Sequence, residues 1–263
     1  MAGAMIKLRI FFRNIPRNAS AQNDIFGKIK RRLLPSILFL LMVAVFVSCG
    51  LPTSDYLYPP SNFFGDNSTI TLVHKDDNVS TMTTFLGYEI YYRLFQNFDD
   101  AKTALSDILN LAATYSNNPD AFMNSVKTYS MPFYRMQKSY SDSGKSDIDS
   151  SKPLLPAKAD IPFTFTINLS GWTVDIGNNT LVTVVRNNGS SNINSAKFSL
   201  ISNYAATDQD YSAGMISPPN SVYLVVFAVS YGTSASSLSD VYSSPVIFPS
   251  STDGSSIIQL TLN

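Results

Sequence analysis

Apolar and polar residues alternate with period two along much of this chain, and the alternation predicts strands. Ile70 and Leu72 alternate with Thr69 and Thr71, and Phe163, Phe165, Ile167 and Leu169 with Thr164, Thr166 and Asn168. Tyr88, Ile90, Tyr92 and Leu94 share one face of a third run, with Glu89, Tyr91 and Arg93 on the other. The β-branched run Leu181 to Arg186 precedes Asn187-Asn188-Gly189, a turn signal suited to positive φ. Val222 to Tyr231 is apolar on both faces, as a central strand should be. Shorter strands are expected at Lys197–Ile201, Val246–Phe248 and Ile257–Leu262. The prediction is a mainly β, antiparallel sandwich.

One stretch breaks the alternation. Phe98, Ala101, Leu105, Ile108, Leu109 and Ala112 fall at helical spacing, behind Asn97 at the N-cap position and Asp99 and Asp100 in the first turn. That helix should stop near Asn117-Asn118. Pro119 can open a second one carrying Phe122, Met123 and Val126 inward. Residues 97–129 are therefore expected as a helical insertion folded back onto the sandwich. Residues 139–152 hold little that is apolar besides Tyr140 and Ile148, and predict a mobile loop.

A different pattern precedes the strands. Lys28, Lys30, Arg31 and Arg32 stand before fifteen residues, Leu33 to Val47, in which only Pro35 and Ser36 interrupt the apolar run. As a helix the run would rise roughly 22 Å, short of a bilayer core of about 30 Å. A basic segment, a short apolar segment and a small residue before a cut site describe an export signal. Residues 1–48 are accordingly expected as a signal peptide, helical in its apolar part and removed. Residues 49–60, with Pro59-Pro60 at their end, are expected as a tether, and residues 61–263 as the folded domain.

Charge changes meaning once the leader is set apart. The whole chain is formally neutral, but residues 1–48 carry eight basic residues against Asp24 alone. The remainder holds eleven basic and eighteen acidic residues, a balance of −7. An acidic domain without a basic run argues against binding nucleic acid through phosphates. Cys49 is the only cysteine, so the folded part can use neither a disulfide nor a thiolate metal site.

Phe46-Val47-Ser48-Cys49 resembles a bacterial lipobox, with small Ser48 just before the cysteine and an apolar residue three before it. The resemblance implies lipidation of Cys49, cleavage ahead of it, and a cell-envelope protein held to the lipid bilayer through acylated Cys49. Gly50, where an aspartate would retain such a protein at the inner membrane, resembles the sorting pattern of the outer membrane. Within the domain, Gly87 to Arg93 resembles the third strand of a fibronectin type III or immunoglobulin-like sandwich. The stretch from Pro218-Pro219 into Val225, Phe227, Ala228 and Ser230 resembles the sixth, and Ser244 to Phe248 the seventh. This implies an Ig-like or fibronectin type III-like fold, which hosts many unrelated functions.

Candidate chemistry is sparse. His74, the only histidine, is expected at a strand end as a surface or half-buried side chain. Asp76-Asp77 and Asp208-Gln209-Asp210 offer oxygen ligands but lack the length and glycine placement of a calcium loop. Neither a glycine-rich phosphate loop nor a GxSxG elbow occurs. Glu89 is expected to pair with Arg93 on its own strand face. No catalytic residue, cofactor or metal is assigned. The expected protein is a non-enzymatic binding or structural lipoprotein, with a protein or polysaccharide as ligand. The alternative is a carbohydrate-active or other hydrolytic enzyme using paired aspartates.

Overall fold

Strand pairing, in the computed structural model, follows the alternation read from the chain. The structure describes residues 56–74, 78, 84–128, 132–140, 148–157, 162–168, 170–177, 180–198, 203–205, 207–210, 221–234, 237–249 and 257–260. The chain divides into two units, Met1–Thr53 and Ser54–Asn263. The first, with the expected leader, Cys49 and the start of the tether, lies outside the described residues, as do Asp76 and Asp77. No described helix is long and apolar enough to cross a membrane.

The second unit is mainly β. One sheet joins β1 (Asn62–Gly65), β2 (Thr69–Val73), β7 (Phe163–Asn168), β8 (Gly171–Asp175), β9 (Leu181–Val185) and β5 (Gln137–Tyr140), in that spatial order. The other is built on β3 (Thr84–Phe95) and β10 (Val222–Thr233), two twelve-residue strands paired almost end to end. β4 (Tyr134–Arg135) and β6 (Leu155–Pro156) pair with β3. β11 (Asp240–Tyr242), β12 (Val246–Ile247) and β13 (Ile258–Leu260) pair with β10. Every pairing among these strands is antiparallel.

Alternation sorts side chains into two cores. Tyr88, Ile90, Tyr92 and Leu94 of β3 and Val222, Leu224, Val226 and Ala228 of β10 face the first sheet. There they meet Ile70, Leu72, Phe163, Phe165, Trp172, Val174, Val182 and Val184. The opposite face of β10, with Val225, Phe227, Val229 and Tyr231, is covered by helices. This explains why β10 is apolar on both sides: it is the middle layer of three.

The helices are α1 (Phe98–Thr114) and α2 (Pro119–Thr128). Asn97 caps α1, its Oδ1 accepting from the Asp99 amide at 2.9 Å, and Pro119 opens α2. Ala101, Ala104 and Ile108 of α1 and Phe122, Met123 and Val126 of α2 face the sheet. Leu109, expected on the inner face, is half exposed, as is Phe98. Leu109 lies about 80° around the helix from Ala101, at the edge of the stripe that Ala101, Ala104 and Ile108 bury. Phe227 is the centre of this core: its ring stacks on Tyr91 at 5.2 Å and meets Phe122 at 5.3 Å and Phe133 at 5.4 Å.

Two local expectations change. Of the strand expected at Lys197–Ile201, Lys197 and Phe198 are not extended into a strand and follow α3 (Ile193–Ala196), capped by Asn192, while 199–201 lie outside the described residues. Of the loop expected at 139–152, Ser139 and Tyr140 belong to β5, Asp149 bridges Lys138, and 141–147 lie outside the described residues.

Candidate functional site

Two polar clusters sit where strands end. The first is assembled on Arg186, the residue after β9. Its guanidinium is wholly buried and every nitrogen is used. Nε and Nη2 donate to the two oxygens of Asp210 at 3.0 and 2.6 Å, Nη2 also to Asp208 at 2.8 Å, and Nη1 to the Asn203 carbonyl at 2.7 Å. The Tyr204 ring lies 4.1 Å beneath. From the facing sheet, Tyr92 donates its hydroxyl to Asp210 and accepts the Asn187 amide at 2.8 Å. Burial pushes the Asp210 carboxyl up while Arg186 pulls against it; burial also drives the Tyr92 and Tyr204 phenols well above their usual range.

This arrangement ties neighbouring stretches of chain together. Asp208 also accepts the Ala205 amide at 3.1 Å, and Gln209 donates to Asn187 and Asn188. The long connection between β9 and β10 is thereby tied onto the end of the sandwich. Asp208 and Asp210, offered by the sequence as oxygen ligands, are brought together on one guanidinium that donates to both.

The second cluster lies on the helix-facing side of β3 and reaches solvent. Glu89 is fully buried; Arg135 of β4 donates to both of its oxygens at 3.2 and 3.3 Å. The expected partner, Arg93, lies instead over the rings of Phe95 and Phe133, at 5.0 and 5.9 Å. Residues four apart on a strand share a face, yet Arg135 on the neighbouring strand is the closer cation. Burial raises the Glu89 carboxyl to about 7, and Arg135, Lys152 and Lys138 oppose that rise.

Beside it, Lys152 donates to Asp240 at 2.7 Å and to the Tyr242 hydroxyl at 2.8 Å. Its ammonium sits 5.0 Å from the Tyr231 ring. Burial works to lower the Lys152 pKa, but the bonds to Asp240 and Tyr242 outweigh it and hold the group above the usual lysine range. Tyr231 donates to Asp240 at 2.8 Å and is pushed up to about 12, by burial first. The cluster is a ladder of matched charges: Glu89 with Arg135, then Lys152 with Asp240.

Other expected candidates fall elsewhere. His74 is buried, its Nδ1 2.7 Å from the Tyr88 hydroxyl and its ring against Phe85 and Tyr88. Among the described residues, no three His, Cys, Asp or Glu side chains stand together as a metal site. Trp172 stacks on Phe198 at 4.8 Å in the inter-sheet core.

No family model, no curated protein and no solved structure matches this chain. The geometry therefore speaks alone.

Arg186 was not singled out by the strand pattern, yet a signal exists. After Lys158 the chain has only two basic residues, Arg186 and Lys197, against Asp160, Asp175, Asp208, Asp210, Asp240 and Asp253. A lone arginine closing an apolar strand in an acidic stretch marks the residue on which buried carboxylates must converge.

Proposed function

We propose that this protein is a lipid-anchored component of a bacterial cell envelope. Its sandwich acts by binding or by structure rather than by catalysis, and its ligand is a protein or polysaccharide. The observation that carries the reading is the basic cluster, the short apolar run and the Phe46-Val47-Ser48-Cys49 sequence in unbroken succession. Gly50 favours the outer membrane as destination.

The engagement of Asp208 and Asp210 by Arg186 supports the non-enzymatic side of the proposal, because Asp210 is buried and both carboxylates are taken up by bonds within the fold. An Ig-like or fibronectin type III-like identity for the domain is part of the same proposal. It is supported by β3, β10 and β12, which carry the stretches likened to the third, sixth and seventh strands, belonging to one sheet in which β10 pairs with both β3 and β12.

Cys49→Ser tests the anchor. The native protein should partition into detergent and carry fatty acids on residue 49, and the variant should appear in the aqueous phase. Equal partition of both proteins overturns the proposal.

A further inference from the structure

We infer that the β10–β11 hairpin end of the sandwich rests on the lipid surface to which Cys49 tethers it. The inference builds on the anchor reading above and adds an orientation to it. Three side chains carry it: Tyr56 is 45% exposed, Tyr58 38% and Leu238 82%.

They belong to one end of the molecule. The Tyr58 carbonyl accepts the Ser230 hydroxyl of β10 at 2.6 Å, and Leu57 is fully buried, so close to Gly232 that a Cβ there would come within 3.2 Å of it. Going from Tyr58 back to Leu57, the chain therefore climbs β10 toward Thr233 and the hairpin tip. Buried Leu57 pins the two flanking tyrosines outward, where their rings meet edge to face at 4.9 Å. In the hairpin, the Leu238 amide donates to the Ser234 carbonyl at 3.1 Å and the Ser234 amide to Ser239 at 2.9 Å. These bonds hold Leu238 at φ 57°, a conformation that leucine rarely adopts, with its side chain in solvent.

Length and charge choose the occupant. Tyr56 stands seven positions after Cys49, and that stretch, fully extended, spans at most about 25 Å. The opposite end of β10 lies roughly 36 Å further away, at about 3.3 Å per residue over eleven steps. An anchored domain so closely held meets the bilayer with its near end. That end suits the encounter: the loop between β10 and β11 reads Ser-Ala-Ser-Ser-Leu-Ser, without charge. The adjoining Asp240 is paired with Lys152. For an acidic domain, an uncharged loop is the part that anionic lipid repels least. Tyrosine is the side chain that settles at headgroup depth, and a leucine beside it can enter the acyl boundary.

The test uses the full-length lipidated protein, in which acylated Cys49 leaves an introduced cysteine as the only free thiol. Leu238→Cys, Tyr56→Cys and, at the far end of β10, Gln259→Cys are each labelled with an environment-sensitive fluorophore. The proteins are reconstituted into phosphatidylethanolamine–phosphatidylglycerol vesicles containing a lipid-borne quencher. Labels at 238 and 56 should be quenched at least threefold more than the label at 259. Equal quenching at all three sites, or none at 238 and 56, overturns the orientation while leaving the anchor standing if residue 49 is acylated by mass. A residue 49 without fatty acid overturns the anchor itself.

Discussion

Arg186 holds both carboxylate oxygens of Asp210 with a single buried guanidinium, at 3.0 and 2.6 Å. Around this pair the Asn203 carbonyl and Asp208 give every guanidinium nitrogen an acceptor, and the Tyr92 hydroxyl donates to Asp210. Desolvating two charges is costly, and only a fully bonded geometry offsets it. The clasp therefore specifies where the connection into β10 lies, and its value is positional more than energetic.

Removing one partner leaves the other charged and buried, so Arg186→Met should lower unfolding free energy by about 3–5 kcal/mol. Arg186→Lys should recover little, because a point charge cannot serve both oxygens of Asp210 and Asn203 together. Replacing the pair together, Arg186→Met with Asp210→Leu, should be milder than either single change. Urea unfolding of these variants and of Asp210→Leu alone checks this. A double variant as damaged as the sum of the singles refutes the interpretation.

The Tyr92 hydroxyl joins the two sheets through this clasp. Tyr92→Phe should cost about 1–3 kcal/mol, since the Asn187 amide loses its partner while Asp210 Oδ2 loses one donor and keeps Arg186 Nε. In the Arg186→Met background the same substitution should cost less, and the four proteins form a double-mutant cycle. A coupling energy near zero would show that hydroxyl and guanidinium act independently.

How much of this could be read from the chain differs between fold and site. The two long strands, the two helices and the Asn97 cap were legible because each depends on residues near in sequence: period two in β3 and β10, helical spacing and a capping side chain in α1. The burial of both faces of β10 was legible for the same reason. What alternation cannot convey is which neighbour a face meets. Glu89 and Arg93 share a strand face in sequence, but pairing of β3 with β4 brings Arg135 from 46 residues away. Asp208 and Asp210 looked like loop acidity because Arg186 lies 22 and 24 residues earlier, a separation that only folding closes. Leu109 fell outside the core because the buried stripe is centred on Ala101, Ala104 and Ile108, which leaves Leu109 at its edge.

Glu89 makes stability depend on pH in a definite direction. Its carboxyl rises to about 7 in the folded protein from the ordinary 4.5, so the folded state binds a proton more tightly than the unfolded chain. The associated stability is fully present below about pH 4.5 and is lost as pH climbs through 7. A shift of this size corresponds to about 3 kcal/mol. Glu89→Gln keeps an acceptor for Arg135 without the ionisation, and should flatten this part of the profile. Denaturant midpoints between pH 4.5 and 8 read the difference. Parallel profiles for wild type and variant would remove Glu89 as the cause.

Gly87 is required by a close approach as much as by its backbone. Its φ is +149°, and a Cβ there would stand 1.9 Å from the Leu155 carbonyl oxygen on β6. Gly87→Ala must push β6 off β3, breaking the Gly87–Pro156 and Tyr88–Leu155 pairing. The expected loss is at least about 2 kcal/mol. Hydrogen exchange distinguishes this from general weakening: the Ala157 amide, bonded to Leu86 at 2.8 Å, should lose protection first.

Phe227 decides whether the helical layer stays on the sheet. Its ring touches Tyr91 within its own sheet, Phe122 from α2 and Phe133 from the segment after it. Phe227→Ala should cost about 3–5 kcal/mol, the transfer term plus the cavity left among three rings. Phe227→Leu, which keeps most of the volume, should cost less. The inter-sheet core on the other face of β10 is untouched by the change, so protection should fall in α1 and α2 more than in β7, β8 and β9. Uniform loss across helices and both sheets would mean that the three layers unfold as one unit, and that the two cores are energetically inseparable.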